Sequence, residues 1–189
     1  MFELIYPFEP APLLLVSSAR GNTEILPVVE SSGMVIGRTT RKAIHGHPEF
    51  MHPVVHLHII DHYGNIYLQK RARTKDLCPG MWDTAVGGHV TYGESLAEAL
   101  IREAGEELAL VDFNPALIES YCYRCERESE LVSVFATITD RDIEPDNDEV
   151  EDGRWWTQAE VEAALGHNTL TPQFEQEYIR IKDRLFALL

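Results

Sequence analysis

The chain of 189 residues is poor in cysteine, in basic residues and in long apolar runs. Cys78, Cys122 and Cys125 are too few for a disulfide framework, and we expect reduced thiols; a redox or zinc role for the C-x-x-C pair Cys122 and Cys125 is the less favoured alternative. Lysine and arginine number 16 against 31 acidic residues, a net charge of −15 that argues against nucleic acid and anionic membranes as partners. No apolar run approaches membrane-spanning length. No basic residue precedes Arg20, so we expect no secretory signal and a cytoplasmic location.

What is present is the composition of a globular protein, with 44% apolar residues. Alternation and turn signals predict strands near 24–29, 34–37, 54–60, 66–70, 82–86, 117–123, 131–137 and 154–156. Helices are predicted near 39–44, from the capping box of Thr157 and Glu160 up to Gly166, and from Pro172 onward. The last helix carries one apolar stripe, formed by Phe174, Tyr178, Ile181 and Leu185. We interpret residues 1–27 as an N-terminal extension and 28–189 as a single domain that includes this helix.

Residues 88–110, GHVTYGESLAEALIREAGEELAL, contain a helix with an unusual density of carboxylates. Ser95 and Glu98 form a capping box, which predicts a helix over 95–108. Glu103, Glu106 and Glu107 are neighbours at helical spacing, and unit charges about 4 Å apart repel by roughly 4 kcal/mol at an effective dielectric near 20. A divalent cation would reverse the sign of that interaction. The alternative is an ordinary solvated helix face.

The same stretch resembles the Nudix box, G-x5-E-x7-R-E-U-x-E-E-x-G-U, in which U is a bulky aliphatic residue. The matching residues are Gly88, Glu94, Arg102, Glu103, Glu106, Glu107 and Leu110. Ala104 is small for the first U, and Ala109 replaces the last glycine, which normally ends the helix in a left-handed conformation. The replacement costs about 1 kcal/mol or more and makes the helix end the uncertain part of the match.

The resemblance implies an α/β fold, the Nudix α/β/α sandwich with a mixed β-sheet, and hydrolysis of a diphosphate linkage. It implies Mg2+ or Mn2+ as cofactor, held by Glu103, Glu106 and Glu107. Arg102 would orient these carboxylates, and Gly88 and Glu94 would support the loop of the box. Nudix enzymes place the general base differently, so Glu107, Glu106 and Glu130 are all candidates.

A second pattern resembles one Nudix branch, isopentenyl-diphosphate isomerase and its hydrolase-like relatives. In that branch the cations that match Arg71 and Lys75 bind a diphosphate; the alternative is a solubilising hairpin. The metal-binding residues of the isomerases are matched by His45, His52, His89, Glu128 and Glu130. Single histidines are more often surface or core residues, and His56 and His58 are interpreted as lining a polar face.

Two departures favour hydrolysis over isomerisation. The isomerases have a cysteine that acts as the catalytic acid, and this chain has Gly87 at the matching position. They also have a tryptophan that stabilises a carbocation, and this chain has Gln173 there. We therefore expect a pyrophosphohydrolase acting on a small-molecule diphosphate, with an isomerase or a non-catalytic ligand sensor as alternatives. The acidic run 144–152 is interpreted as a solvated loop. A homodimer is left open.

Overall fold

The computed structural model describes residues 24–75, 77–143, 145 and 150–189. Most of the predicted N-terminal extension and much of the acidic run 144–152 lie outside these residues. Within them are nine strands and four helices, in the order β1 (Ile25–Val29), β2 (Val35–Thr40), α1 (Arg41–Ile44), β3 (Met51–Ile60), β4 (Ile66–Arg71), β5 (Trp82–Asp83), β6 (Val86–His89), α2 (Leu96–Leu108), β7 (Ala116–Arg124), β8 (Ser129–Ile138), β9 (Val150–Trp156), α3 (Gln158–Ala164) and α4 (Pro172–Phe186). The predicted α/β class with a mixed sheet is confirmed. No helix of the described residues is long and apolar enough to span a membrane.

The chain forms two compact units. The first takes in the described residues up to 55, Gly88–Leu100 and Ser120–Ser133, and the second takes in His56–Gly87, Ile101–Glu119 and the described part of Val134–Leu189. Each unit contains one cluster of candidate metal-binding side chains. His45, His52 and His89 lie in the first unit. Glu103, Glu106 and Glu107 lie in the second unit, on the part of α2 that we call the box helix.

In the first unit, β1 pairs antiparallel with β2 and meets the start of β3 where Val29 lies opposite Met51. Leu26, Val28 and Ile44 form a buried apolar cluster against which Phe50 packs. Thr40 caps α1 by accepting a hydrogen bond from the N–H of Ala43 at 3.2 Å. This packing fixes the end of α1 and the start of β3, which carry His45 and His52.

In the second unit, β4 pairs antiparallel with β3, β5 and β9. The sequence predicts one strand over 82–86, and this is wrong, since β5 ends at Asp83 and β6 begins at Val86. Two hydrogen bonds accompany the interruption. Asp83 Oδ1 accepts the N–H of Thr84 at 2.9 Å, and Thr84 Oγ1 donates to the carbonyl of Leu57 at 3.1 Å.

Both ends of helix α2 are stabilised by hydrogen bonds of nearby residues. The Ser95–Glu98 capping box is present, because Ser95 Oγ accepts the N–H of Glu98 and the Glu98 carboxylate accepts the N–H of Ser95. At the other end Ala109 has a φ of 51°, and its N–H and that of Leu110 bond to the carbonyls of Gly105 and Ala104. The helix therefore ends in the left-handed conformation despite the alanine.

The C-terminal helices agree with the sequence prediction. The Thr157–Glu160 capping box precedes α3, and Thr171 caps α4 with Pro172 in its first turn. The predicted stripe of α4 is buried, at Phe174, Tyr178, Ile181 and Leu185. The same helix buries one carboxylate, that of Glu177, which no sequence pattern had indicated.

Candidate active site and metal-binding residues

The box helix presents three carboxylates in three different environments. The side chain of Glu103 is 12% exposed, that of Glu106 is 61% exposed, and Glu107 is buried. Arg102 bonds to two of them, from one guanidinium nitrogen to Glu103 Oε1 at 2.7 Å and to Glu106 Oε2 at 3.2 Å. Arg102 thus has the contacts expected of a residue that orients these carboxylates.

Glu107 is not the solvated helix residue of the alternative interpretation. Its Oε2 accepts hydrogen bonds from the N–H of Gly87 at 3.3 Å and from Gln69 Nε2 at 3.1 Å. Burial, and then the charge of Glu103, raise the pKa of Glu107 to about 8, against the opposing charge of Lys75 and the two hydrogen bonds. A buried carboxylate beside a second carboxylate needs either a proton or a cation.

Of the two cations expected to bind a diphosphate, Lys75 is close enough for its charge to lower the pKa of Glu107. Arg71 is held by Asp83, with its guanidinium 3.2 Å from Asp83 Oδ2, and its Nε donates to the carbonyl of Leu77 at 3.1 Å. Asp83 in turn accepts a hydrogen bond from Thr171 Oγ1 at 2.9 Å. Sequence reasoning missed Asp83, because its partners come from distant segments.

In the first unit, three histidines converge from separate elements. His45 follows α1, His52 lies in β3 and His89 ends β6. The Nε2 atoms of His45 and His89 are 3.3 Å apart, and the ring centroids of the three imidazoles are 5.2 to 5.9 Å apart. A spacing of seven residues between His45 and His52 therefore brings the two rings together.

Two buried carboxylates join this cluster. Glu128 Oε2 is 3.8 Å from His45 Nδ1, and Glu130 Oε1 is 3.9 Å from His52 Nε2. Ligand atoms of His45, His52 and His89 lie within 4.8 Å of one another, and so do those of His52, Glu128 and Glu130. Imidazole nitrogens and carboxylate oxygens in this number suit Zn2+ or Mn2+.

His52 gives the clearest test of whether the cluster fits a metal. Both of its ring nitrogens are buried, and neither has a hydrogen-bond partner among the described residues. Burial, and then the charges of His45 and Arg41, lower the pKa of His52 to about 3. A neutral imidazole with an unshared electron pair is the form that binds metal, so the residues fit a cation.

Two further residues of the box lie in the first unit. Glu94 Oε2 accepts the N–H of Thr91 at 3.0 Å, which closes the loop before α2. Gly88 lies in β6, next to His89. Cys78, Cys122 and Cys125 form no disulfide bond among the described residues.

A buried network in the second unit was not found from the sequence. Glu177 of α4 is fully buried, with Oε2 2.9 Å from His56 Nδ1 and Oε1 2.6 Å from His58 Nε2. Burial opposes the charge of Glu177, but His56 and His58 outweigh it and hold the pKa of this carboxyl group well below its ordinary value. The alternation of His56 and His58 was the only signal in the sequence.

Comparison with known proteins identifies the family of the chain. Residues 51–176 match the NUDIX domain family. The isopentenyl-diphosphate Delta-isomerase of Escherichia coli O127:H6 is 30% identical over 146 residues, which cover 74% of this chain and 80% of that protein. The isomerase of Saccharopolyspora erythraea is 28% identical over 162 residues, 82% of this chain and 84% of that protein.

Among solved structures, DR0079 from Deinococcus radiodurans matches with a TM-score of 0.73 at 23% identity, over 84% of this chain and 99% of that one. At that identity the match shows a shared fold. The family match and the sequence relatives carry the assignment: the chain belongs to the Nudix family, as a member related to isopentenyl-diphosphate isomerase.

Proposed function

We propose that the protein is a metal-dependent Nudix hydrolase that cleaves a diphosphate linkage in a small organic or nucleoside diphosphate substrate. The observation that carries the proposal is the complete set Glu103, Glu106 and Glu107, with Glu107 buried and the pKa of its carboxyl group raised to about 8. Family membership supports a hydrolase, and the reaction and substrate are our proposal. The net charge of −15 disfavours a nucleic-acid substrate, and we expect the enzyme to act in the cytoplasm.

Glu103, Glu106 and Glu107 would hold Mg2+ or Mn2+. Such a cation neutralises phosphate charge and lowers the pKa of water, so that water becomes a nucleophile at neutral pH. Arg102 keeps Glu103 and Glu106 in place through its two ion pairs. Lys75 and Arg71 would contact the oxygens of the diphosphate, because the planar guanidinium of Arg71 has further donors besides those that bind Asp83 and Leu77.

Three carboxylates are candidates for the general base, which takes the proton from the attacking water. Glu107 is buried, and the hydrogen bonds from Gly87 and Gln69 hold its carboxylate in one orientation. Glu106 is solvent-exposed, and Glu130 belongs to the histidine cluster. The pH profiles of Glu106→Gln, Glu107→Gln and Glu130→Gln would identify the base, because only its removal eliminates the limb that reports its ionisation.

Isomerisation of an isoprenoid diphosphate is the second candidate. It is favoured by the relatives named isopentenyl-diphosphate Delta-isomerase and by the cluster of His45, His52, His89, Glu128 and Glu130. Against it, Gly87 has no side chain to transfer a proton, and Gln173 replaces the tryptophan expected by resemblance. Formation of dimethylallyl diphosphate from isopentenyl diphosphate would favour the isomerase over the hydrolase.

The proposal is tested by phosphorus NMR of the products from nucleotide sugars, dinucleotides, nucleoside triphosphates and prenyl diphosphates. We expect cleavage of a diphosphate linkage with Mg2+ or Mn2+, none with excess EDTA, and a loss on the order of 100-fold or more in Glu107→Gln. Glu98→Gln is the matched control, since it removes one exposed carboxylate from the same helix and glutamine also completes a capping box.

Full activity of Glu107→Gln in EDTA would contradict the mechanism. Binding without turnover across the whole panel would favour a non-catalytic sensor. A best substrate without a diphosphate would contradict the role given to Arg71 and Lys75.

A further inference from the structure

The buried network of His56, His58 and Glu177 has no part in the mechanism above. A charged carboxylate is stable in a fully buried position only when hydrogen bonds and opposite charge compensate for lost hydration. Glu177 receives one hydrogen bond from each imidazole, at 2.9 Å and 2.6 Å. The two histidines therefore each point one N–H at Glu177, which fixes the orientation of both rings.

The two histidines differ in what their other nitrogen meets. Nδ1 of His58 is buried and has no hydrogen-bond partner among the described residues, so its ring is held through Nε2, which faces Glu177. His56 presents the opposite edge of its ring, Cδ2 and Nε2, to the position that a Cβ of Gly87 would occupy. Of the two histidines, His56 is therefore the one whose second ring edge faces a residue outside the network, Gly87.

Gly87 leaves room in front of that edge. It has no positive φ that would require glycine, and an added Cβ would lie 3.5 Å from His56 Cδ2, 3.6 Å from His56 Nε2 and 3.7 Å from Thr84 Cγ2. These are ordinary van der Waals distances, so neither backbone conformation nor crowding explains the glycine. Its missing side chain leaves space for another group beside Nε2.

The same glycine connects this space to the carboxylates of the box helix. The N–H of Gly87 donates to Glu107 Oε2 at 3.3 Å, while the Cβ direction of Gly87 faces His56. A phosphate group bound beside Glu107 at this turn would meet the His56 ring. A histidine backed by a buried carboxylate favours the doubly protonated form, whose Nε2–H donates to an anionic oxygen.

We propose that His56 is a substrate-binding residue whose Nε2–H donates a hydrogen bond to a phosphate oxygen at the Gly87 turn, and that Glu177 is the positioning residue that holds and charges it. The inference rests on the proposed function, since it assumes a diphosphate beside Glu107. It adds a contact from α4 and β3, through which the C-terminal helix takes part in substrate binding.

Two substitutions separate this role from a structural one. His56→Asn keeps a donor at the position of Nδ1, toward Glu177, and removes Nε2. His58→Gln is the matched control, because it keeps a donor at the position of Nε2, toward the same carboxylate, and removes only the buried Nδ1. Both variants alter the network to a similar extent, so a purely structural network predicts similar effects from both.

The probe is methylenediphosphonate with Mg2+, a diphosphate analogue whose P–C–P bridge resists hydrolysis, with affinity measured by isothermal titration calorimetry. We expect His56→Asn to weaken binding about tenfold to a hundredfold, as for a lost hydrogen bond to a charged group, and His58→Gln to leave the affinity unchanged. Gly87→Ala, which fills the space in front of His56, should weaken binding as well. Equal affinity of wild type and His56→Asn, equal losses in His56→Asn and His58→Gln, or no binding by wild type would overturn the proposal.

Glu177→Gln tests the positioning role by pH. Glu177 on α4 faces His56 and also bonds to His58 of the same strand, and Glu107 bonds to Gly87, which the His56 ring faces. Without the charge of Glu177, His56 should keep its second proton only at lower pH, so weakened binding should recover as pH falls. A loss that is independent of pH would contradict the role.

Failure of this proposal is distinguishable from failure of the proposed function. Binding of methylenediphosphonate that depends on His56, in a protein that hydrolyses no diphosphate, would retain the contact and exclude the reaction. Normal hydrolysis together with binding that is insensitive to His56→Asn would do the reverse.

Discussion

Glu107 couples the stability of the protein to pH. The unfolded chain loses this proton near the ordinary pKa of 4.5, whereas burial and the charge of Glu103 raise the pKa in the folded, metal-free protein to about 8. Between these two values the folded state binds more protons than the unfolded state, so the free energy of unfolding falls as pH rises. A single group contributes about 1.4 kcal/mol for each pH unit in that interval.

The prediction is measured by urea denaturation in EDTA at pH 5 and pH 8, for wild type and Glu107→Gln. Groups that do not interact with Glu107 titrate alike in both proteins, so the informative quantity is the difference between their free energies of unfolding. We expect this difference to shift in favour of Glu107→Gln by a few kcal/mol as pH rises. A difference that does not change with pH would mean that Glu107 ionises normally.

His52 has the opposite dependence. Its folded pKa of about 3 lies below the ordinary value of 6.5, because burial, and then the charges of His45 and Arg41, disfavour the charged ring. The unfolded state binds the extra proton between these values, so the contribution of His52 to stability is complete above pH 6.5 and is lost as pH falls toward 3. Denaturation of metal-free His52→Gln, whose side chain does not titrate, should show a weaker loss of stability in acid than wild type.

At the level of single residues, the sequence predicted those site residues whose spacing matches a known family. His45, His52 and His89 could be grouped from the sequence only through the resemblance, and they do converge in the structure. Glu177 could not be identified from the sequence, because its partners His56 and His58 are 121 and 119 residues away. Helical periodicity places position 177 only beside the apolar stripe of α4.

At the level of elements, the end of α2 stores strain that a single substitution should release. Ala109 adopts a φ of 51°, a left-handed conformation that costs a residue with a Cβ roughly 1–2 kcal/mol. Glycine avoids this cost but has a higher entropy in the unfolded chain. We expect Ala109→Gly to raise the free energy of unfolding by roughly 0.5–1 kcal/mol.

Gly166 provides the matched control. It follows α3 with a φ of 75°, and an added Cβ would meet no atom within 4 Å, so only backbone strain opposes a side chain. Gly166→Ala should therefore lower the free energy of unfolding by roughly the amount that Ala109→Gly raises it. Changes of the same sign in both variants, measured by urea denaturation, would contradict this explanation of the helix end.

Elements were predicted best where the signal is local. The capping boxes at Ser95 and Thr157 and the proline at position 172 placed three helix starts within one residue. The break between β5 and β6 was missed, because the hydrogen bond from Thr84 to Leu57 that stabilises it joins segments far apart in the chain. Local propensity contains no information about such a contact.

At the level of the whole molecule, the net charge of −15 makes stability sensitive to cations. Specific binding is distinguishable from screening, because a bound cation at 100 times its Kd stabilises by about 2.7 kcal/mol. We expect Mn2+ to raise the melting temperature more than NaCl of equal ionic strength, and EDTA to reverse the effect. In a variant with both Glu107→Gln and His52→Gln, equal shifts from Mn2+ and NaCl are expected; a full Mn2+ effect in that variant would place the cation elsewhere.

Hydrolysis by activated water is tested most directly by turnover in water enriched in oxygen-18, with products analysed by mass spectrometry. Attack of water on phosphorus forms one new P–O bond and breaks the bridging one, so one product phosphate should carry a single oxygen-18. The label should appear only with Mg2+ or Mn2+, and its rate should fall on the order of 100-fold in Glu107→Gln but not in Glu98→Gln. Conversion of isopentenyl diphosphate to dimethylallyl diphosphate without oxygen-18 in any phosphate product would contradict hydrolysis and assign the protein to isomerisation.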